Sequence, residues 1–311
     1  MPEESMSITL RISAPDSDDQ DMDDLTHDDS KIVEQAARAA LQTKPAEASQ
    51  PNVKIEIPVK PAEPIPSVEK PVEPQAGTTR IREKDGAVMV YVPAGEFLMG
   101  SSDNDKDAQS HEKPQHKVYL DGYWIDRTPV TNAMYRKAVE AGACTKPHDT
   151  KHYDDPKYAD HPVVYVDWNQ AQAYCKWVGG ILPSEAQWEK AARGTDGRIF
   201  PWGNQAPDKD LLNYNMNVKD TTPVGKHPKG ASPYGVLDMA GNVWEWVNDW
   251  YDENYYKVSP VRNPAGPEKG DRRVLRGGAF DLNRVSSRCA SRLRNSPNNW
   301  LNDGFRPAFV L

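Results

Sequence analysis

Apolar and polar positions follow two textures along this chain. Before residue 80 there is one helical period, in which Asp29-Ser30 precede Ile32, Val33, Ala36, Ala37, Ala40 and Leu41. It predicts a short amphipathic helix over about 30–42, opened by a capping residue. A lone helix of this length is marginal in water, so it frays or docks. Segment 44–77 repeats Lys-Pro-Ala-Glu and Val-Glu-Lys-Pro-Val-Glu-Pro units. Their prolines deny the backbone helix and ladder bonds and predict a semi-extended linker. From Ile81 onward, short apolar runs are punctuated by Gly, Pro and Asn. Val88–Pro93 and Glu96–Gly100 predict the strands of a hairpin about Ala94-Gly95, and Lys117–Ile125 predicts a further strand. Helices are predicted over Thr131–Ala141, Asp167–Val178 with Asp167 as cap, and Ser184–Arg193 closed by Gly194. The last 110 or so residues lack any longer period, which predicts a loop-rich region held by buried aromatics.

Composition sharpens this division. Residues 1–80 contain no Phe, Tyr, Trp or Cys and hold 10 of the 27 prolines, so only residues 81–311 can bury a sizeable core. The net charge of −8 is concentrated in residues 1–30, where ten acids face one base, Arg11. The remainder is near neutral, which excludes a basic footprint for nucleic acid. No apolar run reaches a membrane span and no signal-peptide pattern opens the chain, so a cytoplasmic protein is expected. The three cysteines, Cys144, Cys175 and Cys289, read as free thiols. His148 and His152 with Asp154 copy a His-x3-His-x-carboxylate spacing, but the surrounding Pro and Asp residues make this a loop unsuited to presenting imidazoles rigidly.

Seven blocks then stand in order: Gly95–Ser101, His161–Trp168, Leu182–Glu189, Phe200–Asn204, Tyr234–Trp246, Arg276–Phe280 and Gly304–Arg306. Over roughly residues 83–311 the chain resembles the formylglycine-generating enzyme, or sulfatase-modifying factor, family. The resemblance implies an α+β, loop-rich variant of the C-type-lectin fold with little regular secondary structure. It also implies a copper(I) site made by two cysteines five residues apart after the Gly-Gly turn, because soft thiolates suit that ion. Here Leu282 and Ser287 occupy those places, and Cys289 alone cannot replace the pair. No copper and no catalytic residues are therefore expected. The family's calcium segment carries over as side chains of Asp238 and Glu245 and carbonyls of Gly241 and Val243, a hard oxygen set for structural calcium; the alternative is that the two carboxylates accept loop N–H bonds. A second calcium site near Asn213 cannot be completed.

With the thiols gone, Arg284, Arg288, Arg292, Arg294, Asn298, Asn299, Trp300 and Asn302 crowd the segment that forms the substrate groove in the active relatives. Planar donors beside an aromatic suit peptide or carboxylate recognition; for Arg292 and Arg306 internal salt bridges are the favoured reading. The expectation is a non-catalytic protein- or peptide-recognition module, a component of a larger complex or a retroelement-diversified receptor, binding its partner through 281–303, through the 1–43 tail, or both. The alternative is an oxidoreductase of the parent family, formylglycine-generating or sulfoxide-synthase-like, with a non-standard site.

Overall fold

A computed structural model describes residues 73–310. The chain divides into units 1–68 and 69–311, and the helix and linker expected before residue 73 lie outside the described residues. The second unit already begins to pair at β1 (Thr79–Ile81), so Thr79 and Arg80, placed in the tail on composition, belong to a sheet.

The helix-start chemistry reads correctly. Thr131 caps α1 (Asn132–Glu140), its side chain accepting from the Met134 N–H. Asp167 and Ser184 each form a full capping box with a glutamine three residues on, opening α3 (Trp168–Trp177) and α4 (Glu185–Arg193). Gly194 ends α4 at φ 72, a left-handed conformation that favours glycine. Between α1 and α3, the 148–154 loop contains one short turn of helix, α2 (Lys151–Asp154).

Strand pairing departs from the sequence expectation. β2 (Val88–Val92) and β3 (Gly95–Met99) do not form a hairpin. β2 lies between β1 and β5 (Tyr123–Asp126), and β10 (Ala308–Val310) completes the order β1-β2-β5-β10. β3 pairs instead with β4 (His116–Leu120), Gly95 opposite Leu120. β2 is buried along nearly its whole length, as befits a strand with neighbours on both sides, and the Pro93-Ala94 link passes the chain from one sheet to the next. The single strand expected over Lys117–Ile125 is broken at Asp121-Gly122. A Cβ on Gly122 would sit 2.2 Å from the Tyr91 hydroxyl, so only glycine permits that approach.

A second four-stranded sheet has the order β8-β7-β6-β9, formed by β6 (Trp244–Trp250), β7 (Arg273–Arg276), β8 (Arg292–Asn295) and β9 (Asp303–Phe305). Two buried clusters flank it. One gathers Trp188, Met239, Val247, Val274 and Cys289, the other Tyr135, Tyr174, Trp244, Trp246, Leu275 and Phe305. Among the described residues no helix is long and apolar enough to cross a membrane.

Candidate functional site

The second sheet separates two chemistries because strand side chains alternate between faces. The register places Glu245 opposite Arg276 and Arg276 opposite Arg292, which puts all three on the α4 side. There Arg276 pairs with Glu189 and also donates to the carbonyls of Cys289, Ala290 and Ser291. Arg292 grips Glu185 with Nε and Nη2 at 2.6 and 2.9 Å. Burial works against ionisation of Glu185, but Arg292 and Arg276 outweigh it and hold the carboxyl below its ordinary range.

On the other face Leu275 lies opposite Leu293, and Trp244 opposite Asp303. These residues, with Ala279, Asp281, Leu282, Ser286, Asn295, Leu301 and Asn302, line a cavity of about 430 Å³. The loop over it starts at Gly277-Gly278. A Cβ on Gly278 (φ 77) would lie 2.8 Å from the Ser286 carbonyl oxygen, and one on Gly277 (φ 100) 3.1 Å from the Trp188 ring. Those contacts explain the two glycines physically. Within the loop, Leu282 is half-buried at the cavity, and Ser287 is fully buried, its hydroxyl without a hydrogen-bond partner among the described residues.

No cysteine lines this cavity. Cys289 is core, its thiol pushed up to about 12 by burial. Burial also raises the Cys175 thiol, and it raises Cys144 to about 11 despite a hydrogen bond with Tyr135. All three are free thiols. The two histidines singled out by spacing diverge. His148 meets Asp167 at 3.0 Å and stacks on Trp300, whereas His152 meets Asp220 at 3.1 Å. Among the described residues no group of three or more His, Cys, Asp or Glu is arranged to hold a metal ion.

The oxygen set proposed for calcium does not fit that ion here. Both Glu245 oxygens face the Arg306 guanidinium at 2.6 and 2.7 Å, and one also accepts the Trp188 indole N–H at 3.0 Å. Asp238 accepts the Gly225 N–H at 2.6 Å, and burial raises its carboxyl above the ordinary range. The Gly241 carbonyl receives the Val243 N–H. Arg306, whose Nη2 also donates to the carbonyls of Leu237 and Asp238, supplies the positive charge.

The expected binding surface is likewise redrawn. Arg288 is 1% exposed and clamped bidentately by Glu112, with Asp105 beside it, so it is a core tie and no surface donor. Arg284 is exposed and pairs with Asp107 at 2.9 Å. Asn298 and Asn299 are exposed, bonded to Asn169 and Asn295, while Asn302 lines the cavity. Trp300 is 39% exposed, stacked on His148 at 5.3 Å. Its loop is tied down through Tyr165 (φ 61), whose N–H donates to the Leu301 carbonyl. A tyrosine in that conformation is strained and persists only where the surroundings hold it.

Sequence reasoning passed over Asp303. It is 2% exposed, its carboxyl raised to about 7 chiefly by burial, with Asn295 donating at 3.4 Å. Arg272 was passed over too. Neither residue belongs to a motif; the available signal was the alternation of Arg292-Leu-Arg-Asn295.

The fold and sequence have known counterparts. A family model described as the sulfatase-modifying factor enzyme 1-like domain matches residues 75–309. The chain is 38% identical over 231 residues to the serine/threonine-protein kinase pkn1 of Chlamydia caviae, a match covering 67% of this chain and only 35% of that protein. It is 33% identical over 279 residues to the formylglycine-generating enzyme of Streptomyces coelicolor, covering 70% of this chain and 88% of the enzyme. The structure of PvdO from Pseudomonas aeruginosa superposes with a TM-score of 0.68 at 28% identity, covering 77% of this chain and 100% of PvdO. With its loop-rich, C-type-lectin-like α+β fold, the chain belongs to the sulfatase-modifying factor enzyme 1-like family.

Proposed function

We propose that this chain is a non-catalytic recognition domain that holds a protein or peptide on the face built by residues 281–303. The observation that carries the reading is the cavity behind the Gly277-Gly278 turn. It is lined by Leu282 and Ser286, with Ser287 buried beside them, while the one nearby cysteine, Cys289, sits in the core with its thiol at about 12. A thiol so protonated is a poor nucleophile and a poor copper(I) ligand. Trp300 supplies an exposed aromatic at the rim of this face, the residue type on which interface energy concentrates. That the matched region makes up only 35% of a protein named as a kinase agrees with use of the domain as an attached module.

Two experiments decide it. The full chain, loaded with copper(I) and incubated in air with a cysteine-containing sulfatase peptide, should return the peptide at unchanged mass. Conversion of the thiol to an aldehyde would overturn the reading in favour of an oxidoreductase. In parallel, whatever protein the full chain retains in a pull-down should bind Trp300→Ala at least about tenfold more weakly. Normal retention by that variant would move recognition elsewhere, the 1–43 segment being the first candidate.

A further inference from the structure

Edge strand β8 divides two cavities of opposite charge. Leu293 and Asn295 border the 430 Å³ cavity with Asp281 and Asp303, whereas Arg292 and Arg294 border a second one of about 330 Å³ with Arg272, His111 and Tyr251. Leu293 touches both, as a residue on the dividing strand should. The first cavity has no basic lining residue and the second no acidic one.

Apart from Arg292, which Glu185 holds, the charges facing these cavities lack an oppositely charged partner among the described residues. Among the described residues neither Asp281 nor Asp303 meets a Lys or Arg, and neither Arg272 nor Arg294 meets a carboxylate; the Arg294 guanidinium lies over the Tyr251 ring at 4.7 Å. Among the described residues the Tyr251 hydroxyl and His111 Nδ1, on residues of the second cavity, find no hydrogen-bond partner. Burial, and then Arg292, lower the His111 imidazole, with Arg294 adding to the effect and Glu112 and Glu185 opposing it. This pattern contrasts with the rest of the segment, where Arg284 and Arg288 are each matched to an acid.

The strand itself is available. β8 pairs with β7 alone, Leu293 and Arg294 are exposed, and among the described residues the backbone of 292–295 makes no bond outside that pairing. Unpaired edges take extended peptides by strand addition, with main-chain bonds for affinity and alternate side chains for selection.

We propose that β8 accepts an extended peptide along its free edge, a basic side chain of the peptide entering the Asp281–Asp303 cavity and an adjacent acidic side chain meeting Arg272 and Arg294. The proposal rests on the recognition reading above and adds the chemistry of what is recognised. Neighbouring residues of an added strand point to opposite faces, so a basic–acidic pair reaches both cavities when its members are an odd number of positions apart, most compactly when adjacent. A pair two residues apart puts both charges on one face.

The test uses the full chain and two labelled peptides of identical composition, acetyl-Thr-Val-Lys-Glu-Val-Thr-amide and acetyl-Thr-Lys-Val-Glu-Val-Thr-amide, titrated by fluorescence anisotropy. The first should bind at least about fivefold more tightly, as matched cross-strand charges warrant. The exposed variant Arg294→Gln should remove the benefit of the glutamate, so that a Gln peptide binds equally well. Asp281→Asn should do the same for the lysine. Equal affinity of the two isomers, or no binding of either, overturns strand addition. A recovered partner that needs Trp300 but ignores Arg294→Gln and Asp281→Asn would leave the recognition reading standing and remove this one. Formylglycine formation would remove the non-catalytic reading without touching the isomer preference.

Discussion

The two faces of the β6–β9 sheet use charge in opposite ways. Toward α4, Glu245, Arg276 and Arg292 each find a partner inside the fold, in Arg306, Glu189 and Glu185. Toward the cavity, Trp244, Leu275 and Leu293 form an apolar floor in which Asp303 is met by Asn295 and the Leu301 backbone and, among the described residues, by no cation. A buried ion is tolerated when protein groups satisfy it completely. Beneath α4 the first face meets that condition and is closed, only its Arg294 end opening on the second cavity; the other face leaves Asp303 without an ion-pair partner among the described residues. Arginine-rich sequence at 284–306 is therefore mostly internal wiring, and the groups left for a ligand are fewer and differently placed.

The sharpest way to break this comparison is to remove a member of the closed face. Arg306→Ala would strand Glu245, which is 0% exposed. Leaving one buried charge unpaired costs about 3–5 kcal/mol, so denaturant unfolding should show a loss of that order. A loss under about 1 kcal/mol would mean water or another cation reaches Glu245, and the closed description would fail. The turn joining the two faces comes next. Gly278→Ala must place a side chain in the left-handed region and 2.8 Å from the Ser286 carbonyl. It should cost about 1–3 kcal/mol and disturb the cavity loop, read as broadened signals from Ala279 to Ser287.

How much of this was legible in the sequence depended on how local the physics was. Capping residues Thr131, Asp167 and Ser184 act within three positions, and each helix began where its cap stood. The pairing of β2 and β3 depended on which distant strands cover each edge, and two adjacent apolar runs about Ala94-Gly95 resemble a hairpin whether or not they pair. The site split in the same way. Gly277-Gly278 and Leu282 could be named from ordered motifs, and Trp300 from the planar donors crowded about it in sequence. By contrast, Arg288 is withdrawn from the surface by Glu112 and Asp105, more than 170 positions away, a contact no local pattern records. Asp303 gained its character from burial, which its neighbours in sequence do not announce.

The cavity face can be interrogated by pH. Asp303 ionises near 7 in the folded chain against an ordinary carboxylate value near 4, so the native state binds the extra proton. Its contribution to stability is complete below about pH 4 and is lost as pH rises through about 7. Asp303→Asn should therefore flatten the fall in stability between those limits relative to wild type, since Asp249 and Asp126, two other carboxyls that burial raises to about 8 and about 6, titrate in both proteins. Parallel wild-type and variant profiles would mean that Asp303 is already compensated, and the contrast between the faces would shrink.

The smallest expected effect concerns calcium. In this family resemblance, Asp238 and Glu245 with the carbonyls of Gly241 and Val243 were the natural place for the ion. Yet Glu245 faces a guanidinium with both oxygens, and the Gly241 carbonyl already accepts the Val243 N–H. A ligand stabilises a fold only in proportion to its binding to the native state, and at ~100 times its Kd calcium would add ~2.7 kcal/mol. With Arg306 in place, neither chelator nor millimolar calcium should move the melting temperature of the wild-type chain by more than about a degree. A chelator-sensitive wild type would require Glu245 to release Arg306 for the metal, and the α4 face would then be an ion-exchangeable site in place of a closed one. A variant that keeps Glu245 but carries Arg306→Gln separates the cases: if calcium stabilises it while leaving wild type unmoved, the oxygen set is competent and the arginine is what displaces the ion.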